Sequence, residues 1–300
     1  MADRDRATGV RSRRWPALRD VVRLVRAPAA LSVPGDVVAG AAAAGTLGRR
    51  TPGLACASVC LYWAGMAAND WADRRIDAVE RPERPIPSGR VKPGEALAIA
   101  LGLTAAGMAV ARLTAGPRAG ATAAALAAAV WAYDVAAKDT PAGPAVMGLC
   151  RALDVLLGAA GGAPAPALPT AFTVGAHTWL LTLLSRREVS GAGTALPLGT
   201  LSGTLALAAA VGAGPTGDGA ERAVQPALAA WYAARFGLAQ ARAARDPSPG
   251  NVRAAVGTGI VVLPALQGAL AARSGAVRAG LAVAAAAPLG RVLARKVSPT

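Results

Sequence analysis

Histidine, cysteine and lysine are all scarce in this 300-residue chain. His177 is the only histidine, which excludes any multi-histidine metal site and leaves imidazole chemistry to a single residue, more simply read as packing between helices. Cys56, Cys60 and Cys150 form neither a paired framework nor a metal spacing and read as small buried hydrophobes. Lysine occurs only at Lys92, Lys138 and Lys296, so arginine carries the net charge of +15. With so much Ala, Gly and Pro, that preference reflects biased base composition. Charge itself is sparse at 16% of residues against 54% hydrophobic, with a mean hydropathy of +0.40, which argues against an ordinary soluble domain. No alternating strand pattern appears. The N-terminus has arginines but no short apolar core followed by a cleavage site, so no signal peptide is expected.

What the chain does have is apolar runs. A membrane-spanning helix needs about 20 largely apolar residues, and ten runs approach that length: 28–47, 53–70, 94–112, 119–137, 143–161, 168–185, 194–212, 223–241, 253–271 and 276–294. The expected fold is all-α, a polytopic transmembrane bundle of nine to ten helices. Residues 28–300 would form one domain. Residues 1–27 would be a cytoplasmic arm in which Leu18, Val21, Val22 and Val25 oppose Arg19, Arg23 and Arg26 on an interfacial amphipathic helix. Basic residues crowd the loops on the N-terminal side, which the positive-inside rule makes the cytoplasmic face of the cell membrane. The eighth run is the weakest, because Arg235 interrupts it. Scattered over loops with no soluble module, the arginines suit orientation and anionic lipid; nucleic acid is not an expected partner.

This orientation places four charged stretches on one side: 69–92, 134–139, 185–188 and 242–253. The densest is NDWADRRIDAVERPERPIPSG, Asn69 to Gly89. Helical spacing puts Asn69, Asp73 and Asp77 on one face with Asp70 flanking. Carboxylates crowded at a membrane boundary repel one another unless something positive neutralises them, and Mg²⁺ prefers oxygen ligands that it shares with substrate phosphates. Arg74, Arg75, Arg81 and Arg84 could hold further phosphate oxygens. The Pro-rich RPERPIPSG reads as a rigid, extended segment that keeps its arginines facing the acids. The plainer reading is a solvated helix end with its charges in mutual salt bridges; ionisable groups at membrane depth weigh against it. Arg151 and Asp154 lie inside the fifth run, three residues apart, where charges more often line a polar cavity than serve packing alone.

The Asn69–Gly89 stretch resembles the first aspartate-rich motif of the UbiA superfamily of intramembrane prenyltransferases, NDxxDxxxDxxxRPxRPIPSG, nearly residue for residue. The resemblance implies a helical bundle around a central cavity, Mg²⁺ as cofactor, and a polyprenyl diphosphate whose tail lies among the helices. It implies that Asn69, Asp70, Asp73 and Asp77 hold metal and diphosphate, with Asp70, Asp73, Asp77 and Lys138 as the catalytic set. Asn69, Arg74, Arg81, Arg84, Lys138, Arg151 and Arg187 would contact diphosphate, while Tyr133, Asp134 and Asp154 would face the acceptor or cavity.

Two departures stand out. The family usually places a lysine four residues after a tyrosine and then Gly-Asn; here Lys138 follows Tyr133 by five, and Gly143 is followed by Pro144. The second motif, usually resembling NDxRDxxGD, is reduced to LLSRREVSGAG, in which only Arg187, Glu188 and Gly191 align. Glu188 is then the one carboxylate left for a second metal. The expected function is transfer of a polyprenyl group to an aromatic or polar acceptor, with release of diphosphate. The alternative is a non-catalytic prenyl-lipid-binding or export component that has lost the second metal site.

Overall fold

The computed structural model describes residues 15–27, 32–214 and 219–286. The first fourteen residues of the arm, the start of the first apolar run and the end of the tenth lie outside them. The described chain is helical, with no strand: α1 (Leu18–Leu24), α2 (Val33–Ala43), α3 (Thr51–Glu80), α4 (Pro93–Ala115), α5 (Pro117–Ala132), α6 (Gly143–Gly158), α7 (Leu168–Ser185), α8 (Ala195–Gly212), α9 (Val224–Arg245), α10 (Pro249–Arg273) and α11 (Val277–Ala286). Each of the ten runs yields one of α2 to α11. Seven of these, α3 to α8 and α10, are long and apolar enough to cross a membrane, making this a multi-pass membrane protein. The charged α9 falls outside those seven, and α2 and α11 are shorter.

Proline sits in the first turn of α2 to α7 and α10, where its fixed φ suits a helix start and its missing N–H removes no bond. Side chains exposed on the outer faces are those lipid would cover, among them Leu101, Leu113, Phe172, Leu205 and Trp231. Of the four apolar clusters among the described residues, two are large. Leu54, Leu61, Leu126 and Leu157 belong to one; Val155, Val174, Tyr232, Phe236 and Leu266 belong to the other. Through Val155 and Leu157, α6 serves both.

Its crossing with α2 is very close. A Cβ on Gly158 would lie 2.1 Å from the Val37 carbonyl oxygen, and one on Gly40 would lie 1.8 Å from that of Val155. Small residues let backbones meet in this way where lipid provides no hydrophobic drive. We predict that Gly158→Ala, which forces the helices apart, costs about 1–3 kcal/mol of stability. A melting temperature in detergent unchanged from wild type would overturn this.

The expected span 53–70 continues in the structure as one helix of 30 residues through Glu80, so the aspartates stand on the last turns of α3, as their helical spacing predicts. The segment that follows is not extended. It folds into turns, with Val91 N–H donating to Pro85 O at 3.0 Å, Ser88 Oγ donating to Arg84 O at 2.7 Å and Gly89 at φ 73°. Burial decides this: Ile86 and Val91 tuck into an apolar cluster with Leu24, Ala67 and Ala100. An extended chain would strand both outside.

Candidate active site

The four charged stretches meet at one end of the bundle. Lys138 donates to Asp73 Oδ1, joining the first to the second. Arg186 donates to the carbonyls of Asp139 and Thr140, joining the second to the third. Arg253 donates to Glu188 O at 3.3 Å and Ala192 N–H to Pro247 O at 3.0 Å, joining the third to the fourth.

On α3 the motif divides differently from the expected faces. Asp70 and Asp77, seven residues or almost two whole turns apart, lie on the same side. Both are buried. Arg84, brought back by the folded loop, bridges them, its Nη1 2.5 Å from Asp77 Oδ2 and 3.4 Å from Asp70 Oδ1. Arg26 Nη2 donates to the same Asp70 oxygen at 2.7 Å, and Arg81 lies 3.7 Å from Asp77. Asn69 and Asp73 turn instead toward the end of α5, where Asp134 lies beside Asn69 and Lys138 pairs with Asp73. The motif thus carries two subsites, one lined with arginine and one with lysine.

The five-residue spacing of Tyr133 and Lys138 has a structural answer. Residues Tyr133–Ala137 form a π-helical turn, closed by Lys138 N–H donating to Tyr133 O at 3.0 Å. An i→i+5 turn absorbs one extra residue and still returns the chain to the same face, as i→i+4 does in an α-helix. Lys138 therefore reaches Asp73. Gly143 makes the next approach possible, since a Cβ there would lie 2.7 Å from the Lys138 carbonyl oxygen.

Other expected residues fall elsewhere. Arg74 folds back on its own helix, donating to Trp71 O at 2.7 Å with its guanidinium 4.8 Å from the Trp71 ring centre, away from the acids. Arg187 is exposed. Partial burial pushes the Glu188 carboxyl above its usual range, against the pull of Arg253. Arg151 and Asp154 are buried in the bundle, where Arg151 Nε lies 2.8 Å from Asp36 Oδ2 on α2 and its guanidinium 5.5 Å from the Tyr62 ring centre. Tyr62 precedes Asn69 by seven residues, so this cluster lies about 10 Å along α3 from the motif, at 1.5 Å per residue.

Two participants went unnoticed in the sequence. Arg26, read as part of an amphipathic face, adopts φ 45°, a conformation that costs an ordinary residue about 1–2 kcal/mol. Its ion pair with Asp70 offsets this strain. Asp36 was a lone acid in an apolar run.

Among the described residues no three His, Cys, Asp or Glu side chains are gathered to hold a metal ion. Even so, the motif offers only hard oxygen donors, and its carboxylates already sit against cations, Arg26, Arg84 and Lys138. That donor set suits a hard divalent ion completed by oxygens of an anionic ligand.

The sequence profile of the UbiA prenyltransferase family matches residues 32–256. Digeranylgeranylglyceryl phosphate synthase of Ignicoccus hospitalis is 40% identical over 123 residues, 41% of this chain and 40% of that protein. Bacteriochlorophyll synthase 33 kDa chain of Cereibacter sphaeroides is 42% identical over 83 residues, 28% of this chain and 27% of its own length. These matched stretches therefore span less than half of either relative. Among solved structures, one described as giving insights into digeranylgeranylglyceryl phosphate synthase in membranes superposes with a TM-score of 0.66 at 17% identity, over 87% of this chain and 99% of that one. A UbiA homolog from Aeropyrum pernix superposes with a TM-score of 0.59 at 22% identity, over 80% and 96%. At such identities the superpositions speak for the fold, and the profile for the lineage: the chain belongs to the UbiA prenyltransferase family.

Proposed function

We propose that this protein is a prenyltransferase of the cell membrane that moves a polyprenyl group from its diphosphate to an acceptor and releases diphosphate. The observation that carries this reading is the meeting of Asp70, Asp73 and Asp77 with Arg26, Arg84 and Lys138 at one end of an apolar bundle. Residues 28–300 act as one domain, with the N-terminus and the charged end cytoplasmic. Asn69, Asp70, Asp73 and Asp77 hold Mg²⁺, which when bound neutralises diphosphate charge and so eases loss of the leaving group. Arg26, Arg81, Arg84 and Lys138 take diphosphate oxygens as charge-assisted donors. The allylic C–O bond breaks, the acceptor's nucleophilic atom bonds to the freed prenyl carbon and loses its proton, and the lipid-facing bundle keeps bulk water from that carbon. No step requires histidine or cysteine.

A binding component without turnover is the second reading, favoured by one observation: Glu188 is the sole carboxylate left in the second motif. One experiment separates the two. Membranes holding the protein are supplied with isoprenyl diphosphates of several lengths, Mg²⁺ and cell extract, and products are identified by mass spectrometry. The prediction is a prenylated product that requires both Mg²⁺ and the protein. Saturable binding of prenyl diphosphate with no product across the panel would overturn the transferase in favour of the binder.

A further inference from the structure

The remnant of the second motif still makes one contact toward the first. Counting from Arg187, Glu188 and Gly191, the motif's two other acids would stand at positions 185 and 192, which are Ser185 and Ala192. Ser185 Oγ donates to Thr182 O at 3.0 Å within its own helix, and Ala192 N–H donates to Pro247 O at 3.0 Å. Glu188 lies in the field of Arg253, which also donates to its carbonyl at 3.3 Å. Most of the stretch is thus tied to itself or to the connection between α9 and α10.

Arg186 points the other way. Standing at the C-terminal end of α7, it donates from Nη1 to Thr140 O and from Nη2 to Asp139 O at 3.4 Å. Two donors of one planar guanidinium on successive carbonyls fix both the place and the tilt of the turn that carries them. Among the described residues it is the only side chain of another element that hydrogen-bonds to residues 139–142.

That turn has little else to hold it. Asp139 to Ala142 are exposed, and Thr140 N–H and Oγ1 both donate locally to Ala137 O. The turn follows directly on the π-helical Tyr133–Ala137, a geometry found as isolated turns rather than as a self-sustaining helix. Lys138 stands between the two, its N–H closing the π-helical turn and its side chain crossing to Asp73. Lysine is a point charge on a flexible four-carbon stem, so the place of its ammonium depends on how firmly its backbone is held. Arg186 holds that backbone from the side opposite the π-helical turn.

We propose that Arg186 is a positioning residue for Lys138: what survives of the second motif pins the turn between α5 and α6, so that the Lys138 ammonium stays beside Asp73 where diphosphate arrives. Arg186 does not itself touch diphosphate. The proposal rests on the transferase reading, in which Lys138 donates to diphosphate, and assigns a task to the third charged stretch that needs no metal.

Two measurements on the purified full-length chain test it. The first is binding of geranylgeranyl S-thiolodiphosphate, which resists cleavage, with Mg²⁺, read by calorimetry for Lys138→Met, Arg186→Met and the double variant. Lys138→Met should weaken binding about tenfold or more, as loss of a charge-assisted donor does, and Arg186→Met about three- to tenfold. Because the second acts through the first, the double variant should bind within about twofold of Lys138→Met. Losses that multiply would make Arg186 an independent phosphate contact and overturn the proposal. The melting temperature of Arg186→Met should stay within about 2 °C of wild type, since the side chain is exposed; a large fall matching the lost affinity would make Arg186 a structural tie and overturn it too. The second measurement uses the scarcity of lysine. Labelling with ε-¹³C lysine gives signals from Lys92, Lys138 and Lys296 alone, and Lys138→Met identifies which is which at 138. In Arg186→Met the Lys138 signal should move toward that of exposed Lys92; a signal that stays in place would overturn the proposal. Lys138→Met binding as tightly as wild type would remove Lys138 from the diphosphate site and the proposal with it, whereas multiplying losses remove only the task of Arg186, so the two failures are distinct.

Discussion

Replacing Asp73 by alanine is expected to lower Mg²⁺-dependent release of diphosphate by about 10²–10³-fold, the usual effect of deleting one preorganised electrostatic contact at a reacting group. Asp73 is chosen because its carboxylate is the most accessible of the three, with 21% of the side chain exposed against 4% for Asp70 and 2% for Asp77. Its loss therefore leaves little buried charge uncompensated, and the effect should appear in turnover rather than in folding. Lys138, its partner, is itself mostly buried but keeps the Asp134 carboxyl nearby as a second counter-charge. The measurement is diphosphate release at saturating prenyl diphosphate across a Mg²⁺ titration, with melting temperature as the control. Glutamate at this position should retain part of the rate with a shifted Mg²⁺ dependence. Full activity in Asp73→Ala would remove this aspartate from the proposed metal site.

The length and spacing of the apolar runs made the helices legible, because membrane-crossing helices announce themselves through composition. The first motif was legible for the same local reason: its residues share one helix, so spacing alone brings the acids near each other. What spacing could not show was how they pair. Grouping Asp77 with Asp73 is sound for an isolated helix, yet Arg84 ties Asp77 to Asp70, and only the folded loop, anchored by Ile86 and Val91, puts Arg84 there. The five-residue step from Tyr133 to Lys138 looked like a defect until the π-helical turn absorbed it. Contacts spanning long stretches of sequence were beyond reach altogether. Arg26 meets Asp70 from 44 positions away, and Gln267 meets Asp36 from 231. Neither Asp36 nor Gln267 has a sequence neighbour that betrays it, and the buried cluster they build exists only once α2, α6 and α10 are packed.

Arg84→Ala is expected to be the most damaging substitution for the fold, costing about 3–5 kcal/mol, because removing one partner leaves buried charge unpaired. Arg84 is itself mostly buried, and the two carboxylates it bridges are buried more deeply still. Arg26 would still hold Asp70 from one side, but Asp77 would retain only Arg81, longer at 3.7 Å and half exposed. The stress should therefore fall on Asp77. Adding Asp77→Asn to Arg84→Ala removes the orphaned charge and should recover a good part of the lost stability, read as melting temperature in detergent; no recovery would show that Arg84 stabilises through packing instead. The same pair of variants separates folding from ligand binding. If the double variant regains its melting temperature but binds prenyl diphosphate as poorly as Arg84→Ala, then Arg84 has two tasks: it neutralises the carboxylates in the empty fold and donates to phosphate when ligand and metal take over that neutralisation. If affinity returns with stability, its role is confined to holding the motif in shape, and the phosphate contacts pass to Arg26 and Lys138.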